Sequence, residues 1–102
     1  LLENLVACEL HKRYGGDVYF YNHNVEVDFV VPSAGIAIQV CYNMADEETF
    51  NRETRALVRL AERNEEIRQL FIITMSEDRT ITLDGRQIIV RSLARWLLEQ
   101  SV

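Results

Sequence analysis

The run Leu70-Phe71-Ile72-Ile73-Thr74 carries no charge and offers no polar face. An apolar segment this short suits a strand covered on both sides and is too brief for a buried helix of ordinary length. Such a strand needs helical layers above and below its sheet, and the rest of the chain supplies them. Leu1 to Tyr14 has apolar residues at 2, 5, 6 and 10 and a Gly15-Gly16 stop, which predicts a first helix. Asp46-Glu47-Glu48 places acidic charge where a helix N-terminus is electropositive, and Phe50, Leu57, Leu60 and Ala61 recur at helical spacing through residue 66. Ser92 to Gln100 predicts a closing helix that turns Leu93, Trp96 and Leu97 inward.

Strands fill the intervals. Val18 to Tyr21, Val25 to Val31 and Ile36 to Tyr42 are rich in β-branched and aromatic residues, separated by Asn22-His23-Asn24 and by Pro32-Ser33-Ala34-Gly35. Thr80 to Leu83 and Gln87 to Val90 flank Asp84-Gly85, a strong hairpin signal. The expected order is α-β-β-β-α-β followed by a hairpin and a helix, an α/β fold in which helices cover a mixed sheet. At 102 residues the chain fits one domain, without internal repeat or linker.

Composition narrows the function classes. Hydrophobic residues at 48% and charged residues at 26% are ordinary globular usage. A net charge of −5 lacks the basic footprint of a dedicated nucleic-acid binder, so any phosphate contact has to be local. Apolar runs such as Phe29-Val30-Val31 are too short to span a bilayer and no secretory leader is present, so no membrane partner is expected. Cys8 and Cys41 lie in a helical and a strand pattern with neither zinc nor disulfide-framework spacing, and a reducing cytoplasmic setting is the expectation. Residue 1 is a Leu within a helical pattern, which suggests a piece of a longer polypeptide.

Along Val25 to Val31, a period of two puts Glu26, Asp28 and Val30 on one face and Val25, Val27, Phe29 and Val31 on the other. If residues 32 to 35 form the turn, Val31 pairs with Ile36, Asp28 stands opposite Gln39, and Glu26 stands opposite Cys41. Glu3 heads a helical stripe of Val6, Ala7, Leu10 and Tyr14. A carboxylate on a core-facing stripe is costly to bury unless it meets a partner or a metal, so Glu3 is expected to point toward Asp28. Glu9 is expected to be solvated among Leu5, Lys12 and Arg13. The bland reading of Glu26 and Asp28 is the solvated face of a hairpin.

These residues resemble the PD-(D/E)xK nuclease-like core, in which a helix Glu, a strand Asp and a Glu-x-Lys on the next strand bind divalent metal. More narrowly, Leu2-Glu3-Asn4, Glu26-Val27-Asp28-Phe29, Ile38-Gln39-Val40 and Asp46-Glu47-Glu48-Thr49 with Arg52-Glu53 resemble the domain of unknown function that ends many bacterial and archaeal AAA-type ATPases. The resemblance implies a restriction-endonuclease-like αβββαβ core and an upstream module that would bind ATP; no Gly-rich phosphate loop occurs in these 102 residues.

The Glu-x-Lys positions of that pattern hold Gln39, Val40 and Cys41. A metal carboxylate has become an amide and the amine a thiol, and neither can take over the lost role in hydrolysis. Lys12, the sole lysine, is nine residues beyond Glu3 and about 180° around the helix from it. With no Arg between Arg13 and Arg52, a substitute cation has to come from the second helix. Gln39 and Cys41 read as ordinary strand residues, and an anion beside Cys41 argues against a thiolate nucleophile. His11 and His23 lack ligand-spaced companions.

The expected function is therefore a degenerate nuclease-like domain of an AAA-type ATPase, with no cofactor of its own, that contacts the upstream ATPase domain or another protein. One alternative is a Mg²⁺-dependent DNA nuclease using Glu3, Glu26 and Asp28, with Gln39 as a weak ligand and an Arg in place of Lys. A second is a non-catalytic DNA-binding module built on Arg52, Arg55, Arg59 and Arg63, which share a helix face. Against it stands an ordinary solvated face with ion pairs such as Glu48 to Arg52. Trp96 and the Tyr19, Phe20, Tyr21 cluster are expected to pack in the core and sheet. Arg79, Arg86, Arg91 and Arg95 share no register that would form a groove.

Overall fold

The computed structural model describes residues 1–99. The elements are α1 (Leu2–Tyr14), β1 (Tyr19–Asn22), β2 (Glu26–Val31), a single 3-10 turn (Pro32–Ala34), β3 (Ile36–Val40), α2 (Glu47–Arg63), β4 (Gln69–Thr74), β5 (Arg79–Leu83), β6 (Arg86–Ser92) and α3 (Leu93–Glu99). The αβββαβ order with a final hairpin and helix is as the sequence patterns require. Gln100, placed in the last helix by its pattern, lies outside the described residues.

The six strands form one sheet in the order β1-β2-β3-β4-β6-β5. β3, β4 and β6 run parallel, while β1, β2 and β5 pair antiparallel at the flanks. The apolar run is buried from Leu70 to Thr74 in β4, between two parallel neighbours. Its alternation divides the core. Leu70 and Ile72 join Ala37, Ile88, Val90 and the α2 residues Ala56, Leu57, Leu60 and Ala61 on one side. Phe71 and Ile73 join Ile36, Ile38, Val40, the α1 residues Leu2, Val6 and Leu10, and Trp96 of α3 on the other. α2 alone thus covers one face, and α1 with α3 covers the opposite one.

Local chemistry sets the ends of the elements. Asp46 caps α2: its side chain accepts from the Glu48 and Thr49 amides at 3.2 and 3.4 Å and from the Thr49 hydroxyl at 3.0 Å. These bonds hold the Asp46 carboxyl below the usual carboxylate range. The helix stops at Arg63 rather than 66, because Asn64 leaves the helical conformation and its side-chain amide donates to the Leu60 carbonyl. Asp84 and Gly85 both have positive φ, the geometry that lets a tight hairpin follow the twist of its strands.

Several expectations fail at the surface. Leu5 is 47% exposed, because the buried line of α1 runs through Leu2, Val6 and Leu10 and leaves Leu5 outside it. Tyr19 and Phe20 lie on the edge strand β1 and are largely exposed; Tyr21 alone of that cluster packs on the core. Glu9 is ion-paired to Arg13 at 2.6 Å, and the Arg13 guanidinium sits 4.6 Å from the Trp96 ring centre, so that corner is partly buried. Among the described residues no helix is long and apolar enough to cross a membrane.

Gly35 ties the central hairpin to β4. Its φ is +68°, and its carbonyl accepts from the amides of Arg68 and Gln69 at 2.8 and 3.1 Å. A Cβ at this position would stand 2.9 Å from the Glu66 carbonyl oxygen. Gly35→Ala is therefore expected to cost more than the roughly 1–2 kcal/mol of left-handed strain alone. Gly16→Ala, where an added Cβ meets nothing within 4 Å, is the matched control and should change the urea midpoint little.

Candidate functional site

The acidic hairpin departs from simple alternation. Tyr19 of β1 faces Val30 and Tyr21 faces Val27, so β2 carries an extra residue between these pairs. This bulge shifts side-chain parity, and Val27 and Val30, expected on opposite faces, both pack in the α2 layer. On the other side of β2 the pairing to β3 runs Val31 to Ile36, Val30 to Ala37 and Phe29 to Ile38. The expected continuation to Asp28–Gln39 and Glu26–Cys41 is not a ladder, because the strands part there.

Side chains occupy the gap. The Asp28 amide donates to Gln39 Oε1 at 3.0 Å, and the Val40 amide donates to Asp28 Oδ2 at 2.8 Å. Gln39 Nε2 donates to the Glu26 carbonyl at 2.9 Å and to the Glu53 carbonyl at 3.3 Å. A backbone N–H on one end and two carbonyls on the other permit only one orientation of the amide. Gln39 is 2% exposed, and it binds β2, β3 and α2 together at one point.

Beside this knot lies a cavity of about 500 Å³, lined by Asn22, Asn24, Val25, Glu26, Asp28, Gln39, Arg52, Glu53 and Ala56. Burial pushes the Asp28 carboxyl above the usual carboxylate range against the Val40 amide that lowers it, and the charges of Glu3 and Glu26 add to the rise. Burial likewise raises Glu53, whose Oε1 is buried without a hydrogen-bond partner. Cys41 is buried beside Glu53, and burial followed by that carboxylate pushes its thiol up to about 11. At neutral pH it is a thiol and a poor nucleophile.

Glu26, Asp28 and Gln39 therefore line the same cavity. Glu3 is exposed rather than turned into the core, since it sits about 100° around α1 from the buried Leu2, although its charge still acts on Asp28. Its own amide donates to the hydroxyl of Tyr42 at 3.3 Å. Cys41 meets Glu53 rather than Glu26. Among the described residues no three of His, Cys, Asp and Glu come together as a metal site requires.

The residues that sequence reasoning passed over are Glu53 and the two asparagines. For Glu53 the signal was available: its helical neighbours are Ala56, Leu57 and Leu60, all buried, which is the argument applied to Glu3 on a stripe that proved less central. Arg52, on the helix where a substitute cation was expected, lines the cavity. The asparagines gave no such signal, since they reach the cavity through the turn that joins β1 to β2.

A carboxyl raised by folding holds its proton more tightly in the native state than in the unfolded one. Its protonation therefore favours the fold on the acid side, and that advantage is lost as pH rises through the window above about pH 4. Stability measured by urea unfolding is expected to increase from pH 7 to pH 5, and Glu53→Gln should flatten that dependence. Gln39→Glu removes both amide donors from buried carbonyls and sets a carboxylate beside Asp28 and Glu53; it should cost about 2–4 kcal/mol. That loss should be larger at pH 8 than at pH 5, because protonation relieves the repulsion.

Comparison with curated proteins and with solved structures returned no match in either case. The family model described as "Domain of unknown function (DUF4143)" matches residues 1–94, which include every element through the start of α3. With nearly the whole fold and the entire carboxylate cleft inside that match, the chain belongs to the DUF4143 family.

Proposed function

We propose that this domain is a non-catalytic relative of the PD-(D/E)xK nucleases that ends an AAA-type ATPase and serves interaction with, or regulation of, that ATPase or another protein. ATP would be held by the upstream module, and this domain would need no cofactor of its own. The resemblance in Leu2-Glu3-Asn4, Glu26-Val27-Asp28-Phe29 and Arg52-Glu53 supports the assignment to such a protein.

The observation that carries the loss of catalysis is the bonding of Gln39. An amide that accepts from Asp28 and donates to two carbonyls is committed to joining secondary-structure elements. In the nuclease pattern this position offers an anionic oxygen to Mg²⁺, which prefers hard oxygen ligands in strict geometry. Asp28 is similarly engaged through Oδ2 by the Val40 amide. The donor set thus fits a magnesium ion poorly, and no hydrolytic step follows from it.

Arg52 favours one second reading, a Mg²⁺-dependent DNA nuclease that uses Glu3, Glu26 and Asp28, because its guanidinium lines the cleft where a catalytic cation would be needed. Calorimetric titration with Mg²⁺ and with Mn²⁺ separates the two. The proposal expects no saturable heat up to millimolar metal, and supercoiled plasmid left intact at the highest metal concentration. Saturable binding and plasmid cleavage that both vanish in Asp28→Ala would establish the nuclease instead.

A further inference from the structure

The outer face of α2 differs from the solvated, ion-paired face that its sequence suggests. Arg52, Arg55 and Arg59 are exposed, and among the described residues none of the three forms an ion pair or a side-chain hydrogen bond. Glu48, the expected partner of Arg52, makes no such pair; Arg52 acts on Asp46 and Glu53 through charge alone. The arginines that do form ion pairs, Arg13, Arg79, Arg91 and Arg95, lie elsewhere. Three exposed guanidinium groups without an ion pair, on a chain of net charge −5, form a local exception to its overall sign.

Their arrangement is linear. At 1.5 Å rise and 100° per residue, the three lie within about 60° of one another around the helix and span about 10 Å along it. A cleft of about 350 Å³ runs beneath them, with Val25, Ala56, Asn51 and, as its one carboxylate, Glu48 in its lining, and Arg55 and Arg59 also line the adjoining cleft of about 420 Å³. Guanidinium groups that converge would hold a single phosphate, whereas a row engages successive charges along a strand. Guanidinium forks match phosphate oxygens in pairs. No aromatic side chain lines the first cleft, so bases have no platform on which to stack. Glu62 and Asp84 border the row near Arg63, whose guanidinium donates to the His23 carbonyl, and they limit the track at that end.

We infer that the Arg52, Arg55 and Arg59 face of α2 binds the phosphodiester backbone of a nucleic acid, without reading its sequence. Arg52 also lines the carboxylate cleft, whereas Arg55 and Arg59 lie outside it, so the part of the site that these two form stands whether or not that cleft is catalytic.

The test measures fluorescence anisotropy of a labelled oligodeoxythymidine and of a labelled duplex across a salt series, with the purified full-length protein. Three phosphate contacts give a slope of log K against log salt of about −2 for the single strand and about −3 for the duplex. Arg55→Gln and Arg59→Gln should each reduce the slope's magnitude by about 1. The exposed Lys12→Gln is the control and should leave it unchanged. Binding of either nucleic acid through these arginines supports the inference, and the tighter of the two identifies the form preferred. No binding at the lowest salt overturns it, as does binding unaltered in the Arg55→Gln, Arg59→Gln double variant with a native circular dichroism spectrum. Competition by polyglutamate of matched charge as effective as that by unlabelled oligonucleotide would also overturn it, in favour of an acidic protein segment.

Discussion

The Gln39 carboxamide sits where the sheet stops being a sheet. Up to Phe29 and Ile38, backbone bonds hold β2 to β3; beyond them the side chains of Gln39 and Asp28 supply the bonds. The same amide reaches α2 through the Glu53 carbonyl, so one residue takes part in both the splay of two strands and the seat of a helix. Unmade hydrogen bonds in such a buried place are expensive. The cleft is the space that the splay opens, and the position of every carboxylate around it follows from how that splay is tied.

Charge is distributed unevenly around α2. Its inner edge brings Glu53 toward Asp28 and Cys41, in surroundings where burial favours the protonated acid and the neutral thiol. Its outer face carries Arg52, Arg55 and Arg59, which form no ion pair among the described residues. Arg52 stands on the border, lining both the acidic cleft and the basic one. One helix therefore presents two surfaces of opposite sign, and their separation is what the periodicity of a helix with a buried stripe produces.

Much of the candidate site was readable in advance. Glu26 and Asp28 share the strand that enters the cleft, and Gln39 faces it from the next strand. The turn at residues 32 to 35 set that register correctly as far as Ile38. What failed was the assumption of uniform pairing. A bulge in β2 has no strong signature in Val27-Asp28-Phe29-Val30, yet it changes which side chains share a face. Glu3 and Glu53 exchanged roles for a related reason. Each heads an apolar helical stripe, but the true centre of α1 runs through Leu2, Val6 and Leu10, while that of α2 passes directly beneath Glu53.

The amino-acid sequence by itself determined the order of elements, the central place of Leu70 to Thr74, and the neutral amide and thiol at Gln39 and Cys41. These are local properties: periodicity, turn chemistry and residue identity depend on neighbours along the chain. Only the tertiary structure decided that the amide of Gln39 ties three elements together, that Glu53 and Cys41 share one buried corner, and that Arg52, Arg55 and Arg59 form no ion pair among the described residues. Those features depend on which groups meet across distant segments, where the cost of a buried, unpaired polar atom or the absence of a neighbouring charge is set by packing in three dimensions.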